Sequence, residues 1–197
     1  LTCMANRSWK HDEMYEFKVT WIYKNVELLG PGKSICKKLR DRSLIKLDLS
    51  WKKVGNTGVQ RVCEMLKINT TIQELSLGAN DITHAGVEYL GEALKFNTTL
   101  KTLVLDNNKI TSAGLEHLSK VLQSNTTLQA LYLGNNGICS ACAEYIGKVL
   151  LSNNTLQVLD FRHNIITDIG VEYFINALKT NNSLHTLYLH RNLLSTN

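Results

Sequence analysis

The stretch "LKTLVLDNNKITSAGLEHLSKVLQSNTT", residues 100–127, changes period halfway through. Around Leu103 and Leu105 apolar and polar residues alternate, which suits a short strand with one buried face. The second half carries apolar residues at helical spacing. In the preceding unit Val87, Leu90 and Leu94 fall at i, i+3 and i+7 on one helix face. The same text returns every 28 residues. One column reads Leu44, Ile72, Leu100, Leu128, Leu156 and Leu184, and a second reads Leu47, Leu75, Leu103, Leu131, Leu159 and Leu187. Leu49, Leu77, Leu105, Leu133, Phe161 and Leu189 form a third. Asn80, Asn108, Asn136, Asn164 and Asn192 then recur in step, followed by Val54, Ile82, Ile110, Ile138, Ile166 and Leu194. No insertion breaks the register, so five full units and the start of a sixth fill residues 44–197.

Each unit therefore reads as strand, loop, helix, turn. Asn56, His84, Ser112, Ser140 and Asp168 stand where an N-cap is expected, and four of the five are good cap residues. Gln60, Glu88, Glu116, Glu144 and Glu172 are expected in the first helical turn, where negative charge suits the dipole. Lys67, Lys95 and Lys179 lie near the far end. Asn69, Asn97, Asn125, Asn153 and Asn181 stand where each helix stops, a place that commonly requires the left-handed backbone that Asn tolerates. A Thr or Ser two residues later, able to bond the local backbone, turns each into a formal glycosylation acceptor. These sequons are read as by-products of turn chemistry.

The pattern LxxLxLxxNxI followed by Gly, Leu and Asn-Thr-Leu resembles the leucine-rich repeat of the ribonuclease-inhibitor type, and especially the leucine-rich regions of NOD-like receptors. The resemblance covers residues 44–197 and implies an α/β fold, a right-handed βα solenoid with a parallel concave sheet and convex helices. It implies that Asn80, Asn108, Asn136, Asn164 and Asn192 form a structural asparagine ladder, because an amide offers both donors and an acceptor to loop backbone in adjacent turns. Two departures stand out. Lys52 replaces Asn in the first unit, and Cys142 replaces the Gly of Gly58, Gly86, Gly114 and Gly170, which puts a tight turn in the fourth unit in doubt.

Residues 1–43 break the period and are read as a flanking or capping segment. "YEFKVTWIY", residues 15–23, is read as a capping strand, and residues 34–39 as a degenerate helix. The flank holds nine Lys/Arg against five Asp/Glu, concentrated in residues 33–42, whereas the repeats are nearly neutral. Such a basic run is read as a solvated face, so nucleic acid is not an expected partner. Residue 1 is Leu, which suggests a processed or longer chain, and an open end at Asn197 would invite stacking. Apolar runs are too short to span a bilayer. Five scattered cysteines, an odd number, point to free thiols in a reducing compartment and hence to the cytoplasm.

Two motifs imitate chemistry. "GPGKS", residues 30–34, lacks the glycine five positions before Gly32, where Glu27 stands, so it is no phosphate loop. "CSAC", residues 139–142, offers at most two zinc ligands and is read as small residues filling repeat positions. No residue set presents a nucleophile, a base and an orienting group together, so no enzyme, cofactor, metal or small-molecule substrate is expected.

Binding is expected on the concave face, where strand alternation exposes the positions between leucines. The candidate protein-binding residues are Trp51, Asp106, Tyr132, Asp160, Arg162, His163, Tyr188, His190 and Arg191. Their Tyr, Trp and Arg types are those enriched at interface hot spots. With His163 and His190 present, affinity for an acidic partner is expected to rise below about pH 6.5. The first functional reading is a protein-interaction module resembling the sensing or autoinhibitory region of NOD-like receptors. The alternatives are a tropomodulin-like actin regulator, a GTPase activator and a secreted immune-type receptor.

Overall fold

The computed structural model describes residues 44–195. The readings made on residues 1–43, namely the capping strand, the degenerate helix, the basic run, "GPGKS", Cys3 and Cys36, lie outside them. Strands and helices alternate without exception: β1 (Lys46–Asp48), α1 (Gly55–Leu66), β2 (Glu74–Ser76), α2 (His84–Leu94), β3 (Thr102–Val104), α3 (Thr111–Leu122), β4 (Ala130–Tyr132), α4 (Ser140–Ser152), β5 (Val158–Asp160), α5 (Asp168–Leu178) and β6 (Thr186–Tyr188). The six strands form one parallel sheet in chain order. Each residue pairs with the residue 28 later, as Leu47 with Leu75 and Leu103 with Leu131. Parallel neighbours need a crossover, and the helix of each unit supplies it. Residues 44–195 form a leucine-rich βα solenoid.

The apolar columns explain why it coheres. Leu75, Leu103, Leu131 and Leu159 from the strands are buried, as are Val87, Leu90, Leu118 and Ile146 from the helices. No unit can bury this surface alone, so stacking makes one continuous core. Phe161, standing in a leucine column, stacks on Phe174 of α5 with ring centroids 5.7 Å apart.

Four local expectations are corrected. The helices begin at or one residue before the residues expected as N-caps, and no cap side chain bonds its own helix. The N-cap positions are instead Val54, Thr83, Ile110, Cys139 and Thr167. The expected cap side chains act one unit onward. Thr83 N–H donates to Asn56 Oδ1 at 2.9 Å, Thr167 N–H to Ser140 Oγ at 2.8 Å and Ser195 N–H to Asp168 Oδ1 at 3.1 Å. The glutamates lie past the first turn, because the helices start one or two residues earlier than the cap reading places them. There Glu116 pairs with Lys120 and Glu144 with Lys148 along the helix, while Glu88 meets His117 of the next helix.

The glycine column is not a turn. Gly86, Gly114 and Gly170 lie inside helices, and a Cβ at Gly114 would stand 2.6 Å from Ile110 Cγ2 and 3.2 Å from His84 Cα. Glycine is there for close helix contact, and the fourth unit fits the fully buried Cys142 in its place.

The helix-exit asparagines are not left-handed either: none has positive φ. Their side chains are the reason for them. Asn97 Oδ1 accepts from Thr99 N–H at 3.0 Å and from Leu100 N–H at 2.8 Å, closing the turn. Its Nδ2 donates back to Leu66 O at 2.8 Å and Asn69 O at 3.2 Å in the preceding unit. Asn153 and Asn181 repeat the arrangement, and all five of these asparagines are buried. A glycan on such an Nδ2 would replace a donor used inside the fold.

Candidate functional site on the sheet face

The strands are three residues long, yet backbone pairing runs beyond them: Ala79 N–H donates to Asp106 O at 2.9 Å and Asn135 N–H to Arg162 O at 2.9 Å. It then ends in a column of left-handed residues, Trp51, Ala79, Asn107, Asn135, His163 and Arg191, with φ between 53° and 62°. The next column turns the chain away from the sheet. Asn108 Oδ1 accepts from Asn80 N–H at 3.0 Å and Ile82 N–H at 2.9 Å, and its Nδ2 donates to Leu77 O at 3.0 Å and Leu105 O at 2.9 Å. Asn80, Asn136 and Asn164 bond in kind, and Asn192 accepts from Ile166 N–H. At the first unit Lys52, which lacks the amide, donates its own N–H to Asn80 Oδ1 at 3.0 Å.

On this frame Asp160 and Arg162 form the centre of the candidate site. The Asp160 side chain is wholly buried, and its carboxylate accepts from Arg162 N–H at 2.9 Å, from Nε at 2.7 Å and from Nη2 at 2.5 Å. Nε and Nη2 converge on the one oxygen Oδ2, and this grip holds the guanidinium above its usual pKa. The guanidinium lies 5.3 Å from the ring centroid of Tyr188 on the next strand, a cation–π contact. His190 meets the same ring edge-on at 6.4 Å. Asp106 stands on the other side, accepting from Gly134 N–H at 2.7 Å, and burial pushes its carboxyl above the ordinary range. Tyr132 pairs in register with Asp160 and is half-buried.

The sequence-predicted residues thus divide. Asp106, Tyr132, Asp160, Arg162, Tyr188 and His190 gather across neighbouring strands. His163 and Arg191 belong to the left-handed column at the sheet margin, and Trp51, 77% exposed, stands at the far end of the sheet. Asp160 and much of Arg162 serve to hold the face together, so the free contact surface there comes from Tyr188, His190 and the outer edge of the guanidinium. Sequence reasoning missed Ser50 and Ser76, whose hydroxyls meet at 2.6 Å beside β1. Their positions 26 apart carry no periodic signal.

The TMOD/LMOD leucine-rich domain model matches residues 35–138, more than half of the chain, starting inside the segment read as flank. A leucine-rich repeat model matches residues 152–174. No curated protein gives a significant match. Among solved structures, leiomodin-1 actin-binding site 2 superposes with a TM-score of 0.65 at 22% identity, over 85% of this chain and 88% of that one. The tropomodulin C-terminal domain of Caenorhabditis elegans gives 0.62 at 14% identity, over 85% and 92%. At these identities the likeness concerns the fold. The resemblance to NOD-like receptors has no counterpart in these matches.

Proposed function

The chain belongs to the TMOD/LMOD leucine-rich domain family, and on that premise we propose that it is a non-enzymatic interaction module that binds actin. The family match carries the reading, and the name of the leiomodin-1 domain, an actin-binding site, supports it. Both favour the actin-regulator alternative over the NOD-like receptor, the GTPase activator and the secreted receptor. An actin partner implies a cytoplasmic location. Among the described residues no helix is long and apolar enough to cross a membrane.

The proposed contact surface is the sheet face: Tyr188 and His190 at one end, with Arg162 between them and Tyr132, and Trp51 at the other. The test is co-sedimentation with actin filaments, together with filament growth rates. The variants are Tyr188→Ala/His190→Ala and Trp51→Ala, which leave the Asp160–Arg162 pair intact. Arg162→Ala is avoided because it strands a buried carboxylate. Wild type should sediment with filaments or alter their growth. The double variant should bind about tenfold more weakly, the loss of roughly 1.4 kcal/mol at a hot spot. Wild type that neither sediments nor alters growth would refute the actin reading. Full binding by both variants would move the surface off the sheet.

A further inference from the structure

We propose that Cys139 and Cys142 are a redox-active dithiol, closing reversibly to an intramolecular disulfide at the start of α4 and so breaking a side-chain link between adjacent repeats. Periodicity alone makes this pair two small residues in repeat positions. The structure gives them different surroundings. Cys139 is the extended N-cap of α4 and is partly exposed, whereas Cys142 is buried in the first turn. Cys142 N–H donates to Cys139 O at 3.0 Å, an i to i+3 turn. Such a turn holds its end Cα atoms within about 7 Å, and a disulfide spans about 4.4–6.8 Å.

The position of Cys139 also has a defined job in two other units. Thr83 Oγ1 accepts from Asn56 Nδ2 at 2.8 Å, and Thr167 Oγ1 meets Ser140 Oγ at 2.8 Å. Each hydroxyl links its helix start to the preceding unit. In the fourth unit a thiol stands in: Cys139 Sγ meets Ser112 Oγ at 3.1 Å. That hydrogen bond, followed by backbone N–H groups at the helix start, holds the Cys139 thiol below its ordinary pKa. Burial raises Cys142. An accessible attacking thiol is thus set beside a sheltered resolving thiol. Cys63 supplies the contrast: it is buried, its thiol pushed up to about 12, and it has no such neighbour among the described cysteines.

The oxidant is a low-molecular-weight disulfide such as oxidised glutathione. The Cys139 thiolate attacks one of its sulfurs, forming a mixed disulfide and releasing one glutathione thiolate. Cys142 gives up its proton and attacks Cys139 Sγ. The Cys139–Cys142 bond forms as the second glutathione thiolate leaves. The protein loses two electrons, which reduce the oxidant to two thiols. Sγ of Cys139, now bonded to Cys142, no longer meets Ser112, and α3 and α4 lose that link.

The test exposes the full chain to oxidised glutathione at neutral pH, quenches with acid, unfolds the chain in denaturant, blocks remaining thiols by alkylation and maps peptides by mass spectrometry. In wild type the peptide carrying Cys139 and Cys142 should lose two hydrogens and resist alkylation, while Cys63 is alkylated, and dithiothreitol should reverse the change. Cys142→Gly, which restores the residue of the other units, should stop at a glutathione adduct on Cys139. Ser112→Ala should slow formation of that adduct severalfold. Amide exchange near residues 111–113 should quicken in the oxidised protein. A lasting glutathione adduct on wild-type Cys139, two freely alkylated thiols, or linkage of either cysteine to Cys3, Cys36 or Cys63 would overturn the proposal.

Discussion

Asn107 and Asn108 are neighbours in sequence and opposites in use. Asn107 is exposed, with φ 57°, and among the described residues its side chain bonds only Asn135 of the next unit, at 2.9 Å. Asn108 is buried and serves two N–H groups and three carbonyls. The left-handed column also admits Trp51, Ala79, His163 and Arg191, so it tolerates Asn without requiring it. The buried column needs an amide, because an unpaired buried N–H or carbonyl costs about as much as a lost hydrogen bond. The helix exits make the same point: there Asn is kept for its side chain, in right-handed or extended backbone.

The two buried columns differ in reach. Asn108 bonds the preceding unit through both ends of its amide. Asn97 closes its own turn with Oδ1 and reaches back with Nδ2 alone. Asn108→Ala should therefore cost most, roughly 3–5 kcal/mol in urea unfolding, since it strands partners in two units. Asn97→Ala should cost roughly 2–3 kcal/mol. Equal losses would break the distinction between the strand exit and the helix exit. In the left-handed column the sign reverses: Ala79, at φ 53°, should gain roughly 0.5–1 kcal/mol on Ala79→Gly, which removes a Cβ penalty. A loss there would show that its side chain matters more than its backbone.

The smallest effect concerns Asp106. Its folded carboxyl titrates above the unfolded value, mainly through burial, so the folded chain binds this proton more readily. Ionised Asp106 therefore weakens the fold above its folded pKa, and the penalty vanishes as pH falls below the unfolded value. Asp106→Asn keeps an oxygen for Gly134 N–H and should raise stability by roughly 0.5 kcal/mol at pH 7. The gain should shrink toward pH 4. A gain that is constant with pH would place the cause elsewhere.

The fold is legible because its period is undisturbed: the columns of Leu47, Leu49 and Asn80 set unit length, strand register and core from the sequence alone. The local chemistry was less legible. The left-handed site lay one column before the ladder rather than at the helix exit, because Asn is ambiguous between backbone tolerance and amide bonding, and only burial separates the two. Ser140 and Asp168 looked like caps, but their partners lie 27 residues on, beyond any local rule. Of the candidate site, the face was readable from alternation. That Asp160 is buried and grips Arg162 was not, since a strand pattern gives direction and not depth.

The side-chain links between units named above bridge 26–31 residues, from Ile82 to Asn108 and from Leu66 to Asn97. Every closure thus has about the same length, and adding a unit costs about the same loop entropy as the last one did. Contact order stays low however many units follow. Such a chain should assemble like a zipper from any well-formed pair of units. Under tension applied at one end, it should give way one unit at a time.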